Sequence, residues 1–190
     1  EDGEGLDYQW SRASSRETGA LLVISGTAGV GKTSLATSWL HSHAAEFPDG
    51  QLYADLASYS QAKPVDSDDV LAGFLRALGV APERVPSRLA ERVALLRTIT
   101  HGRRVCVLLD NALSAAQVRI LAVTAPGCAT LVTTRGAISG LTMDGAIFHQ
   151  LDPWRAHTGV TFSPRGLGQG GGGRGRQSRP DRDRHMVARR

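Results

Sequence analysis

The chain has 190 residues, of which 41% are hydrophobic and 21% are charged, and this is the ordinary balance of a globular protein with one buried core. No apolar run approaches the roughly 20 residues that cross a bilayer, and the first one, residues 21–24, is too short for a signal peptide. We therefore expect no membrane partner. Because the chain begins with Glu1 rather than Met, we also expect a fragment of a longer protein.

The net charge of +4 is distributed unevenly along the chain. Residues 1–152 hold 13 Lys and Arg against 16 Asp and Glu, whereas residues 153–190 hold 9 Arg against 2 Asp. The basic character therefore belongs to the C-terminal segment, and it is weak evidence for nucleic-acid binding by the folded part.

Periodicity divides the chain before residue 153 into two segments. Residues 1–19 are polar and predict a flexible lead-in, whereas residues 20–152 alternate apolar strand patterns with helical ones. This alternation predicts an α/β fold, a three-layer sandwich around a mostly parallel five-stranded sheet. In chain order we predict a strand at 21–25, a helix from Lys32, a strand at 51–56, a helix at 67–79 capped by Asp66 or Ser67, a helix at 87–101 capped by Ser87, a strand at 105–109, a helix at 114–123, and strands at 129–134 and 146–151.

The apolar periodicity ends after Asp152. Residues 166–175 carry seven glycines, and the composition of residues 153–190 predicts a disordered tail. Glu and Lys are absent from this segment, which indicates a frame-shifted continuation of the gene. The alternative is a genuine basic tail that contacts nucleic acid nonspecifically. The lack of aromatic residues between 166 and 190 counts against specific RNA recognition.

The strongest motif is GTAGVGKT at residues 26–33, which fits the P-loop (Walker A) pattern between a predicted strand and a predicted helix. Its glycines allow backbone N–H groups to approach phosphate oxygens closely, and the following helix contributes the positive end of its dipole. Lys32 would bind the β- and γ-phosphates, and the Thr33 hydroxyl would coordinate magnesium. The predicted ligands are ATP or ADP with Mg²⁺, and the predicted nucleotide-binding residues are Gly26, Thr27, Ala28, Gly29, Val30, Gly31, Lys32, Thr33, Ser34 and Arg135.

A magnesium–phosphate site also needs a carboxylate from a neighbouring strand, and the apolar run 105–109 ends in Asp110. We predict Thr33 and Asp110 as the magnesium ligands. The next residue, Asn111, occupies the place where fast ATPases carry a second acid, and an amide is not a useful general base. This predicts slow hydrolysis, or a base elsewhere such as Asp144. Asp110 and Arg135 remain the catalytic candidates.

The strand at 129–134 ends in Thr133 and Thr134 and is followed by Arg135. Hydroxyl groups and a guanidinium beside a phosphate site can sense the γ-phosphate. An exposed arginine at a strand end without such a role is the alternative.

Four ordered motifs are similar to the NB-ARC-type ATPase domain of STAND regulators: GTAGVGKT at 26–33, FPDGQLYADL at 47–56, VCVLLDNA at 105–112 and APGCATLVTTRG at 125–136. Within that family the chain resembles the branch in AfsR-like (SARP) transcriptional activators of high-GC bacteria. The resemblance covers residues 21–151. It implies that the strand ending at Thr134 lies between the P-loop strand and the Asp110 strand.

The resemblance also implies a cytoplasmic switch, closed with ADP and open with ATP, that couples to neighbouring DNA-binding and repeat modules. Those modules and the GRE-type motif that the family carries ahead of its first strand do not occur in this sequence. Two other functions stay open. One is a small P-loop kinase or other phosphotransferase, and the other is a nucleic-acid-binding protein that acts through its basic tail.

Overall fold

The computed structural model of the protein describes residues 2–13, 18–56, 65–151 and 188–189. The strands are β1 (Ala20–Ser25), β2 (Gly50–Asp55), β3 (Val105–Asp110), β4 (Ala129–Thr134), β5 (Ile147–Gln150) and β6 (Ala188–Arg189). The α-helices are α1 (Asp2–Ala13), α2 (Lys32–Ser42), α3 (Ser67–Ala77), α4 (Leu89–Thr100) and α5 (Ala115–Leu121). Short 3₁₀ turns span Ala44–Glu46, Pro82–Arg84 and Ser139–Asp144.

The strands form one sheet in the order β5-β1-β4-β3-β2-β6. The first five strands of that order are parallel, and β6 pairs antiparallel with β2 as a strand beyond the five predicted. Strand β4 lies between β1 and β3, as the family resemblance implied. The register places Ser25 beside Thr134 and Asp55 beside Asp110. The polar residues that end these strands therefore meet at one edge of the sheet.

Helices cover both faces of the sheet, which confirms the predicted α/β fold. Side chains from α3, α4 and α5 pack against one face in one hydrophobic cluster, and side chains from α1 and α2 pack against the other face. Every residue of β3 and β4 is buried, as expected for central strands built from unbroken apolar runs. The middle of the sheet is thus a rigid support for the residues at its carboxyl edge.

The flexible lead-in predicted for residues 1–19 is wrong for most of its length, because Asp2–Ala13 form helix α1. Leu6, Trp10 and Ala13 are buried against the sheet, and their spacing of four and three residues is the helical period. The Trp10 indole packs edge-on against Trp39 of α2, with 5.6 Å between ring centroids. Apolar burial outweighs the low helix propensity of the two glycines in this segment.

One of the two predicted helix caps is present, and a cap that was not predicted occurs at the start of α5. The Asp66 side chain accepts a hydrogen bond from the backbone N–H of Asp68, and the Ser114 hydroxyl accepts one from the N–H of Gln117. The cap predicted at Ser87 is wrong, since α4 follows Arg88 and no side chain caps it. Near the start of α4, the Arg92 guanidinium instead forms a salt bridge with the Asp68 carboxylate of α3 over 2.9 Å.

The tail predicted as disordered or frame-shifted, residues 153–190, lies outside the described residues apart from Ala188–Arg189. Nucleic-acid contact by that tail stays a prediction. In the part of the chain that the structure describes, no helix is both long and apolar enough to cross a membrane.

Candidate nucleotide-binding site

The P-loop connects the end of β1 to the start of α2 at the carboxyl edge of the sheet. Gly31 precedes α2 with a φ of 99°, a left-handed conformation that favours glycine. No side chain caps this helix and no acidic residue lies in its first turn. The helix therefore presents backbone N–H donors and the positive end of its dipole to the loop, which is the arrangement that binds phosphate.

Gly26 is required by close packing at the other end of the loop. A Cβ atom at this position would lie 2.7 Å from the carbonyl oxygen of Leu151. The segment after β5 is fixed there, because the N–H of Leu151 donates to the carbonyl of Ser25 over 2.8 Å. The first glycine of the motif thus allows the chain after β5 to close against the loop.

The Lys32 side chain is 7% exposed and lies against the loop that precedes it. Its Nζ donates to the carbonyl oxygens of Gly26 and Thr27 over 2.9 and 2.7 Å. Burial lowers the pKa of Lys32, the positive charge of Arg135 lowers it further, and Asp110 acts in the opposite direction. Two cations and one carboxylate therefore influence one another electrostatically at the loop.

Thr33 and Asp110, 77 positions apart in sequence, are in direct contact. The Thr33 Oγ1 donates to the carboxylate, with distances of 2.9 Å to Oδ1 and 3.1 Å to Oδ2. Asp110 is 4% exposed and its carboxylate is the buried end of this pair. A hydroxyl and a carboxylate are oxygen donors that suit Mg²⁺, which commonly takes one or two carboxylates together with substrate phosphates. The pair fits the ion that was predicted.

Two further hydroxyl groups hold the Asp110 carboxylate. The Thr133 hydroxyl donates to Oδ1, and the Tyr53 hydroxyl donates to Oδ2 over 3.3 Å. Burial and then the charge of Asp110 raise the pKa of Tyr53, so the phenol remains a neutral donor. Thr133 was expected to sense the γ-phosphate, but its buried hydroxyl orients Asp110 instead. Thr134 is also engaged, since its hydroxyl donates to the carbonyl of Gly136 over 3.1 Å.

The sequence-predicted residues are brought together at this edge of the sheet. Arg135 is exposed directly after β4, and Ser34 is exposed in the first turn of α2. The remaining predicted residues occupy the loop and the first two positions of the helix: Gly26, Thr27, Ala28, Gly29, Val30, Gly31, Lys32 and Thr33. A base at Asp144 is disfavoured, because its carboxylate forms a salt bridge with Arg119 over 2.9 Å.

Sequence reasoning missed Asp55. This residue ends β2 directly beside Asp110, and its Oδ1 accepts a hydrogen bond from Asn111 Nδ2 over 2.9 Å. Asn111 has a φ of 56°, and among the described residues it is the only non-glycine with a positive φ. A signal was present in the sequence, because Asp55 lies near the end of the strand predicted at 51–56, much as Asp110 follows the strand predicted at 105–109.

The sequence also matches a known protein family. The profile described as an AAA domain matches residues 15–122, which is more than half of the chain and includes the P-loop, Asp55 and Asp110. The chain belongs to the AAA domain family. The P-loop AAA domain implies that it binds nucleotide, and the phosphate cradle at α2 agrees with this.

Two regulatory proteins of streptomycetes are similar to this AAA domain. It is 53% identical over 116 residues to "Regulatory protein AfsR" of Streptomyces coelicolor and 49% identical over 116 residues to the protein of the same name in Streptomyces griseus. Each match covers 61% of the chain and 12% of the relative. The chain thus spans about an eighth of the length of these relatives.

Proposed function

We propose that the chain is an ATP- and ADP-binding switch module, of the NB-ARC type found in STAND regulators, within a larger regulatory protein. The observation that carries the proposal is the contact between Thr33 and Asp110 beside an uncapped P-loop helix. A hydroxyl and a buried carboxylate from distant parts of the chain meet where the phosphates of a nucleotide would lie.

Lys32 would bind the phosphates by exchanging its present partners. Its ammonium now donates to two loop carbonyl oxygens, and phosphate oxygens are stronger acceptors for a cation. Thr33 and Asp110 would hold Mg²⁺, which would neutralise part of the phosphate charge. Arg135 would contact the γ-phosphate, because it is exposed directly after β4, at the same edge of the sheet as the P-loop. Such a contact distinguishes ATP from ADP.

The regulatory role is supported by the relatives. Both are named as regulatory proteins, and the chain corresponds to 12% of each. We infer that the domain works beside DNA-binding and repeat modules and that ADP and ATP favour different arrangements of them. A ligand shifts such an equilibrium only by its difference in affinity for the two states. The γ-phosphate contact of Arg135 is the source of that difference.

Slow hydrolysis is the second part of the proposal. Asn111 follows Asp110, and its amide has no basicity near neutral pH. A switch that hydrolysed ATP rapidly would not hold its ATP state. We therefore expect turnover well below the enzyme median of about 10 per second.

The test is titration calorimetry of the purified chain with ADP and ATP, with and without Mg²⁺, followed by measurement of phosphate release. We expect both nucleotides to bind, more tightly with Mg²⁺, and phosphate release to be slow. Absence of binding would contradict the nucleotide site, and turnover at or above about 10 per second would contradict the switch. Rapid phosphoryl transfer to an added small acceptor would favour a kinase.

A further inference from the structure

The carboxyl edge of the sheet holds a second carboxylate close to the predicted magnesium ligands. Strands β2 and β3 are parallel neighbours, and their register sets Asp55 directly beside Asp110. The chain after Asp55 is fixed in the same place, because the N–H of Leu56 donates to the carbonyl of Asp110 over 2.9 Å. The position of Asp55 is therefore determined by the sheet rather than by a loop.

Asn111 fixes the Asp55 side chain from the other direction. Its backbone N–H donates to Thr133 Oγ1 and its Nδ2 donates to Asp55 Oδ1, each over 2.9 Å. The positive φ of Asn111 is uncommon for a residue with a side chain, and asparagine is among the residues that tolerate it best. The turn after β3 thus carries an amide that orients the carboxylate of the neighbouring strand.

The two carboxylates differ in what they can do. Asp110 is 4% exposed and receives the hydroxyl groups of Thr33, Thr133 and Tyr53, so it is suited to hold a cation and poorly placed to take a proton from water. Asp55 is half-buried at the open edge of the sheet. Its charge reaches the same site, because it contributes to raising the pKa of Tyr53.

We propose that Asp55 activates the water that attacks the γ-phosphate and that Asn111 is its positioning residue. This inference rests on the proposed function, since it assumes that ATP binds at the P-loop. Asp55 would then be the base for the slow turnover proposed above, because no acid lies directly after Asp110. Asn111 occupies the position after Asp110, and its amide orients the Asp55 carboxylate by a hydrogen bond.

The reaction is hydrolysis of ATP to ADP and phosphate. The water oxygen forms a bond to the γ-phosphorus, and the bond from that phosphorus to the β,γ-bridging oxygen breaks. ADP leaves with the electron pair of the broken bond. Asp55 accepts the proton that the water loses, and it then returns this proton to the released phosphate or to solvent.

The test compares Asp55→Asn, which preserves shape, with Asp69→Asn, which makes the same change at an exposed residue in the first turn of α3. Loss of a general base lowers a rate by about 10²-fold or more. We expect kcat of Asp55→Asn to fall by about that factor, with KM for ATP and the affinity for ADP with Mg²⁺ changed less than about 3-fold. Asp69→Asn should keep the wild-type kcat.

Asn111→Ala gives a second test that leaves the carboxylate in place. We expect a fall in kcat with KM unchanged, and no further fall when this change is added to Asp55→Asn, because residues that act as a unit are not additive. Thermal melting of each variant shows whether it is folded. If Asp55→Asn does not fold, Asn111→Ala decides.

Three results would overturn the assignment of Asp55. The first is a wild-type kcat in Asp55→Asn, and the second is a loss of both ADP affinity and turnover in that variant. The third is wild-type protein that binds ATP without hydrolysing it. None of these results contradicts nucleotide binding by the wild-type protein, which is measured separately. Wild-type protein that binds neither nucleotide would overturn the proposed function and this inference together.

Discussion

Replacing Thr133 by valine tests the hydrogen bonds that hold the Asp110 carboxylate. Thr133 is fully buried at the end of β4. Its hydroxyl donates to Asp110 Oδ1 and accepts the backbone N–H of Asn111 over 2.9 Å. Valine has nearly the same shape, so the change removes both hydrogen bonds without opening a cavity.

The expected loss of stability is the sum of two effects. A hydrogen bond to a charged group contributes about 1.5–3 kcal/mol, and a buried N–H left without its partner costs about 1–3 kcal/mol. The Asn111 N–H is only part-buried, so its cost lies at the low end of that range. Asp110 keeps the hydroxyl groups of Thr33 and Tyr53, which places the total near the low end, at about 3 kcal/mol. For a domain of this size, that corresponds to a decrease in Tm of about 6–12 °C.

The assay is urea denaturation followed by tryptophan fluorescence, with the slope of the transition checked for constancy. Thr98→Val is the matched control, because the exposed Thr98 hydroxyl donates only to a backbone carbonyl within α4 and its loss should change stability by less than about 0.5 kcal/mol. Equal stability of the two variants would refute the view that Thr133 holds Asp110.

Four other substitutions have defined outcomes. Gly26→Ala should weaken ADP binding by at least about 10-fold, since its Cβ would meet the Leu151 carbonyl at 2.7 Å, and unchanged affinity in calorimetry would contradict this. Gly3→Ala in α1 should stabilise the fold by about 0.5–1 kcal/mol, and a lower Tm in thermal melts would contradict this. Ser114→Ala removes the cap of α5 and should cost about 1 kcal/mol in urea denaturation, and an unchanged midpoint would contradict the cap. Arg135→Ala should weaken ATP binding by about 10-fold and leave ADP binding nearly unchanged, while an equal loss for both would exclude γ-phosphate sensing.

The sheet could be predicted because its strands are local patterns. The run 105–109 is apolar at every position and ends in Asp110, which predicts a central parallel strand whose last residue faces the site. The P-loop needs a glycine-rich turn between a strand and a helix, and all three lie within one continuous stretch. The positions of Lys32 and Thr33 follow directly from that stretch.

The remaining features depend on contacts between distant residues. Helix α1 is stabilised by burial of Trp10 against Trp39, which its glycines and polar residues do not reveal. The partnership of Asp55 with Asn111 joins residues 56 positions apart and depends on the register of β2 and β3. Nothing in the sequence indicated that the Asn111 amide donates to Asp55, because the pairing of β2 with β3 cannot be read from a local pattern.

The most direct test of nucleotide binding at the P-loop is the thermal stability of wild-type protein and Lys32→Ala with Mg²⁺ and ADP. At a ligand concentration 100 times the Kd, binding adds about 2.7 kcal/mol to the free energy of unfolding. We expect a rise of several degrees in the Tm of the wild type and of Lys63→Ala, which changes the only other lysine of the chain. Lys32→Ala should lose most of that rise. An unchanged rise in Lys32→Ala, or no rise in the wild type, would contradict the site.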